Sequence, residues 1–343
     1  MMIAPQSYNQ TFLPLLDQCS ENWVAYASDG SDAMSGDQCL SEGIRLHQRR
    51  QFEQAIHQFQ AAIAFYKREV DLASECRALV GMGSSLYALG NYADAIACSQ
   101  AALEIAQSLS DRKMEKQALN DLGNTYRHLR DYAKALEYQQ KSIEIAQELQ
   151  DIKSEAVTLS NMGMVYKARG DCEQAIALYQ RGLNLAHTLN DCHIEGQILR
   201  NLGNAYHAIG QYAKTVECYE RLLCIVRLRD DQRSEVHILK NLGSAYYTMG
   251  DYAKAIERHE QRLALAKHMH DNRHQAQALE SLGIIHDAIG NYEKALSYHE
   301  QQLRVALQQD NVRLVQKIQE TLRNLCYSLG DYAKAKQYES CSV

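Results

Sequence analysis

Thirteen histidines and ten cysteines are the residues with which this chain could do metal or nucleophilic chemistry. The densest group is His268, His270, His274 and His286. His270 and His274 stand four apart, but Asp271 marks a helix boundary between them, so they do not share one helix face. A metal centre needs three or four converging ligands, and these imidazoles read instead as solvated surface groups. The cysteines, at 19, 39, 76, 98, 172, 192, 218, 224, 326 and 341, form no CxxC pair. Most fall on apolar positions and read as reduced thiols used as small hydrophobes, as in a reducing compartment. No cysteine is placed beside a base, so Cys–His catalysis is not expected. Asp230 and Asp231 read as cap and loop charges. Phosphate loops, GxGxxG, HExxH and GxSxG are absent from the sequence. The expectation is a chain that is not an enzyme and uses no cofactor or metal.

A second kind of chemistry recurs. Asn120, Asn124, Asn201, Asn204 and Asn241 carry side-chain amides, each both donor and acceptor, able to pair with a peptide backbone of any sequence. Arg127, Lys167, Arg200 and Lys240 add one cation to each of four successive segments. His207, His237 and Tyr247 stand on the same stripe.

That stripe is set by a repeat. Gly43, Gly83, Gly123, Gly163, Gly203, Gly243 and Gly283 are each 40 residues apart. A second ladder runs Gly90, Gly170, Gly210, Gly250, Gly290 and Gly330, with Arg50 and Arg130 in its vacant slots. Phe52, Tyr92, Tyr132, Tyr212, Tyr252, Tyr292 and Tyr332 form a third, and Ala55, Ala95, Ala135, Ala175, Ala255, Ala295 and Ala335 a fourth. Within one unit, Leu119, Leu122, Tyr126 and Leu129 make a helical stripe. After a break at Arg130-Asp131, Tyr132, Ala135, Leu136, Tyr138, Ile143 and Ala146 make a second. Asp71, Asp111, Asp151, Asp191, Asp231, Asp271 and Asn311 are placed to cap each first helix. Gly-Asn and Gly-Asp pairs such as Gly90-Asn91 end one helix and cap the next. The core glycines are expected to let the second helix approach the first, and the tyrosines at 92, 132, 212, 252 and 292 to fill gaps between stacked units. One such hairpin cannot bury both faces, so neighbours must stack.

Composition agrees with an all-α chain. Only Pro5 and Pro14 break helices among 343 residues. Apolar residues make up 46%, too many for a disordered chain. A net charge of -6 lacks the basic excess of a general nucleic-acid binder, so no nucleic-acid partner is expected. No stretch approaches the length of a membrane span, and the first ten residues lack a secretory signal, so a cytoplasmic protein without membrane insertion is expected.

Leu119, Leu122-Gly123 and Tyr126, repeated as Leu199, Leu202-Gly203 and Tyr206 and as Leu239, Leu242-Gly243 and Tyr246, with Ala135 or Ala255 in the second helix, resemble the tetratricopeptide repeat (TPR). The common form has 34 residues; this one has 40. It also lacks the usual proline late in the second helix, where Gln107 and Gln147 stand. The longer LGNxYxxxGDYxKA form is similar to repeats of the Pins/LGN class of polarity scaffolds and of many bacterial repeat proteins. The resemblance implies a right-handed superhelical solenoid of about eight helix-turn-helix units. They fall near 36–70, 71–110, 111–150, 151–190, 191–230, 231–270, 271–310 and 311–340, the outer two degenerate at Glu42 and Arg323.

The resemblance also implies that first helices line a concave groove holding a partner's peptide. The groove residues are then Asn120, Asn124, Arg127, Lys167, Arg200, Asn201, Asn204, His207, His237, Lys240, Asn241 and Tyr247. The cations favour an extended or helical acidic segment of another protein. Residues 1–35 form a separate acidic leader and linker, expected to be partly disordered, with an amphipathic stretch around Phe12, Leu16 and Trp23. It could occupy the groove of its own chain or a neighbour's. No catalytic domain is expected after the repeats. The function expected is a non-enzymatic scaffold or adaptor; the alternative is a peptide-gated regulator whose output lies on a separate chain.

Overall fold

Helix punctuation recurs every twenty residues, and that period sets the architecture. The structure, a computed structural model, describes residues 34–309 and 311–338. The expected leader helix around Trp23 lies outside the described residues. Among the described residues the chain is all-helical. The first compact unit, ending at Asp171, contains α1 (Gly36–Gln48), α2 (Phe52–Glu69), α3 (Leu72–Ala88), α4 (Tyr92–Ser108), α5 (Arg112–His128), α6 (Tyr132–Glu148) and α7 (Ile152–Arg169). The second, beginning at Cys172, contains α8 (Cys172–Thr188), α9 (Cys192–Ala208), α10 (Tyr212–Leu228), α11 (Gln232–Thr248), α12 (Tyr252–His268), α13 (Asn272–Ala288), α14 (Tyr292–Leu307), α15 (Val312–Ser328) and α16 (Tyr332–Gln337). Within each unit consecutive helices pack on one another. First helices also touch across repeats, as α3 on α5 and α11 on α13 do. The fold is an α-solenoid of stacked helical hairpins. Among the described residues no helix is long and apolar enough to cross a membrane.

Both kinds of turn share one geometry. A left-handed residue stands at every twentieth position from 50 to 290 and again at 330. After the first helix it is usually glycine, such as Gly90 (φ 81°) or Gly250 (φ 79°). Arg50 and Arg130 adopt the same conformation at φ 61°, so their slots are filled, not skipped. After the second helix no glycine is used: Ser110, Gln150, Asn190, Asp230 and His270 all have φ near the left-handed value. In each turn the next amide donates to the carbonyl five residues back, as Asn91 N does to Leu86 O at 2.9 Å. This satisfies helix ends that would otherwise be orphaned. The capping oxygens then accept the first amides of the following helix, Asp71 from Ser74 N at 3.1 Å and Asp271 from His274 N at 2.9 Å.

The core is built from the alanine column and the apolar residue, usually leucine, before most core glycines. Ala55, Ala95, Ala135, Ala175, Ala255, Ala295 and Ala335 are buried, as are Leu122, Leu202, Leu242 and Leu282. Of the cysteines, Cys39, Cys76, Cys98, Cys218 and Cys326 are buried free thiols, while Cys192 and Cys224 are exposed.

Two packing expectations need correction. The tyrosine ladder fills the gap between repeats only in part: Tyr92 meets a ring of the next repeat, but Tyr252 is 37% exposed. As first residues of their helices, Tyr92 and Tyr252 also lie over the preceding turn. Tyr92 meets Tyr87 edge-on at 5.9 Å, and Tyr252 meets Tyr247 at 5.6 Å. Nor is His286 a solvated histidine. It is buried and stacks on Tyr298 at 5.4 Å, because it occupies the slot that Tyr126, Tyr166, Tyr206 and Tyr246 fill in other repeats.

Candidate functional site

The core glycines serve as windows rather than as general clearance. A Cβ at Gly123 would stand 2.6 Å from Nε2 of Gln139, and at Gly243 2.5 Å from Nε2 of His259. At Gly283 it would meet His299 at 2.4 Å, and at Gly203 the ring of Tyr219 at 3.2 Å. Each glycine thus passes a polar side chain of the second helix beneath the first, toward the first helix's outer polar face.

In the first unit this fixes the predicted amides. Gln139 Nε2 donates to Asn124 Oδ1 at 3.2 Å and to the Asn120 carbonyl at 3.3 Å. Asn161, buried on α7, donates its Nδ2 to Asn120 Oδ1 at 2.9 Å. Asp121 sits half-buried in this amide row; burial pushes its carboxyl up to about 7, against the hydrogen bond from Gln117. Arg127 is held at the end of α5, donating to His128 Nε2 at 2.9 Å and toward Tyr87 Oη at 3.5 Å. His128 stacks on Tyr92 at 5.2 Å. Lys167 occupies the matching place on α7 and is half-buried. Beneath the face, Lys116 pairs with Asp151 and donates to Ser154 Oγ at 2.8 Å.

In the second unit Tyr219 does what Gln139 does in the first. Its hydroxyl donates to Asn204 Oδ1 at 2.6 Å, and the Asn241 side chain hydrogen-bonds that hydroxyl. Burial raises the Tyr219 hydroxyl to about 12. Asn201 is half-buried beside them. His207 meets Tyr212 edge-on at 5.3 Å. Arg200 and Lys240 are exposed, and Arg200 Nη2 reaches Ser234 Oγ at 3.4 Å. His237 packs edge-on against His274 at 4.9 Å.

The twelve predicted residues therefore all lie on first helices, but not on one line. Arg127 and Lys167 stand four residues after their core glycine, near the helix ends; Arg200 and Lys240 stand three residues before theirs, near the helix middles. Gln139, Tyr219, His259, His299 and Arg262 are residues the stripe alone does not identify. For all but Arg262 the signal is a period-40 column in the second helices, Phe59, Ser99, Gln139, Tyr179, Tyr219, His259 and His299, polar from Ser99 onward where an apolar residue would suffice.

Known proteins share this architecture. A structure from Pyrococcus horikoshii, a signal transduction ATPase with numerous domains carrying a tetratricopeptide repeat sensor, is 18% identical with a TM-score of 0.66. The alignment covers 92% of this chain and 53% of that one, so this chain spans about half the length of that protein. The apo form of RapI is 14% identical with a TM-score of 0.58, covering 88% of this chain and 95% of that one. A Rap protein complexed with competence and sporulation factor is 14% identical with a TM-score of 0.51, covering 86% and 98%. At these identities the likeness is one of fold. No curated protein sequence matches the chain. The sequence profile of the tetratricopeptide repeat matches residues 74–148, 114–188, 154–227, 194–268 and 238–308, overlapping spans that together cover well over half of the chain. With the same helical hairpins built in the structure, the chain belongs to the tetratricopeptide repeat family.

Proposed function

We propose that this protein is a non-enzymatic, cytoplasmic scaffold or adaptor whose first-helix faces hold an extended acidic segment of another protein. One observation carries the reading. The groove amides are oriented from beneath: Gln139 occupies Asn124 Oδ1 and Tyr219 occupies Asn204 Oδ1. Each Asn is thereby fixed with its Nδ2 donors directed away from the occupied oxygen, suited to a partner's backbone carbonyls. Arg127, Lys167, Arg200 and Lys240 supply the charge that favours acidic side chains.

The alternative, a peptide-gated regulator with its output on another chain, draws on the Rap protein that is complexed with competence and sporulation factor and on the repeat sensor of the ATPase. Both are statements about those proteins, and their resemblance to this chain is one of fold.

The test is affinity capture with the wild type beside a variant carrying Arg127→Glu, Lys167→Glu, Arg200→Glu and Lys240→Glu, after circular dichroism shows both to be helical. A protein held by the wild type and lost by the variant supports the reading and supplies the partner. Equal capture by both moves the binding surface off the first helices.

A further inference from the structure

The second unit contains a buried cation without a counter-charge. Arg262 on α12 is 1% exposed. Its Nη2 donates to a neutral amide, Gln277 Oε1 on α13, at 2.7 Å, and its Nε has no hydrogen-bond partner among the described residues. Burial lowers its proton affinity, and Asp271 opposes this only through space. Asp271 is already engaged at the cap of α13, accepting from the backbone N–H and ring Nδ1 of His274 at 2.9 and 2.7 Å.

More positive charge lies around it. His237 on α11 and His274 on α13 meet edge to face, Lys240 follows on α11, and Arg200 reaches over from α9 to Ser234. The carboxylate near Arg200, Asp231, is the cap of α11 and accepts from Ser234 N at 3.0 Å. Burial and then the charges of His274, Arg262, Lys240 and Arg200 hold His237 below the usual imidazole range. Asp231 and Asp271 are thus engaged by helix amides, and Glu280, three residues beyond Gln277 on α13, is paired with Lys317. A desolvated guanidinium is costly unless a charge of opposite sign completes it, and an anion on this face would do so.

The chemistry selects the anion. A phosphate monoester carries nearly two negative charges at neutral pH and three strong acceptor oxygens. Arginine, lysine and imidazole N–H groups are suited donors for it. We propose that the face formed by α9, α11 and α13 is a binding site for a phosphate monoester on a partner segment, held by Arg200, His237 and Lys240, with Arg262 balancing its charge from beneath. The partner-segment part rests on the scaffold reading above; the anion site itself does not.

The experiment uses the full chain, an acidic ten-residue peptide with one serine, and the same peptide phosphorylated there. The phosphopeptide is expected to bind at least ten-fold tighter, and Lys240→Gln or His237→Gln to abolish that preference while circular dichroism is unchanged. Inorganic phosphate should shift the imidazole NMR signals of His237 and His274 saturably and raise the titration midpoint of His237. Arg262→Met should remove the phosphate response; should that variant fold poorly, the two surface variants carry the test. Equal binding of the two peptides overturns the phosphate site and leaves the acidic-peptide reading in place. If neither peptide binds while phosphate still moves His237, the anion site stands and the peptide reading falls. Chloride at matched ionic strength producing the same imidazole shifts overturns the site.

Discussion

Lys116 in the first compact unit and Arg262 in the second are both buried cations, 8% and 1% exposed, yet their surroundings are opposite. Lys116 has Asp151 as counter-ion and Ser154 as a further acceptor. Arg262 has a neutral glutamine. The faces above them follow suit. In the first unit, Gln139 donates to Asn124 and Asn161 to Asn120, and the cations Arg127 and Lys167 stand near the helix ends. In the second, Arg200, His237 and Lys240 gather over Arg262. The same repeat, built on the same glycines, yields one face ordered by amide hydrogen bonds and one crowded with cations. The charge of Lys116 is met inside its own unit; that of Arg262 is the one on which the proposed anion site rests.

The largest test of this contrast is a matched pair of substitutions. Lys116→Met leaves Asp151 without its cation and should destabilise the first unit by about 3 kcal/mol, the low end for a broken buried pair because Asp151 reaches solvent. Arg262→Met removes an uncompensated charge and should be neutral or stabilising by about 1 kcal/mol. Urea titration followed by hydrogen exchange assigns each change to its unit. Equal losses from both would erase the distinction.

Acid should separate the units in the same way. Burial, reinforced by Arg262, holds His259 down at about 4. The unfolded chain binds that proton first, so the second unit loses stability as pH falls from about 6.5 to about 4, by up to roughly 3 kcal/mol. In the first unit Asp121, raised to about 7, binds its proton more tightly when folded, so the first unit gains stability over the same fall. For Asp151, burial is outweighed by Lys116 and Ser154, which hold the carboxyl down at about 2. Its contribution is lost only below about pH 4. Hydrogen exchange at pH 7 and pH 4.5 should show the second unit opening more readily at the lower value and the first less.

The glycine windows predict a smaller difference. Gly243→Ala drives a Cβ into the buried ring of His259 and should cost about 1–3 kcal/mol. A Cβ at Gly83 would meet Cys98 Cβ at 3.3 Å, Ser99 Oγ at 3.4 Å and the Ala95 carbonyl oxygen at 3.6 Å. Gly83→Ala should be near neutral, the tight contact offset by about 1 kcal/mol of helix propensity. Thermal denaturation of the two variants checks this. The smallest effect is at the turns: Arg130→Gly relieves a left-handed arginine and should stabilise by up to about 1 kcal/mol. Gly250→Ala at the equivalent turn of the second unit should cost a similar amount.

Much of the fold could be read from residue spacing. Asp71, Asp111 and Asp271 cap helices where the period puts them. His286 was misread as a solvated histidine, although it stands in the column of Tyr206 and Tyr246, which are buried. The tyrosines of the second helices were misread in part, because an aromatic at a fixed interval does not reveal whether it points into a gap or over a turn. The candidate site was legible only as a stripe. Which amides would be turned, and by what, depended on side chains from the other helix of the hairpin. Gln139 lies 15 residues from Asn124, and Tyr219 lies 15 from Asn204; neither separation has a meaning along a single helix.

By itself, the sequence determined the helices, their ends and their hairpin stacking, because capping, left-handed turns and apolar stripes are local requirements repeated every twenty or forty residues. Tertiary structure alone decided which polar groups would be spent inside the protein and which left for a partner. Lys116 and Arg262 look alike as letters in a chain. Whether a carboxylate stands beside each depends on a neighbouring repeat, and in a desolvated interior that proximity sets the energy of the charge.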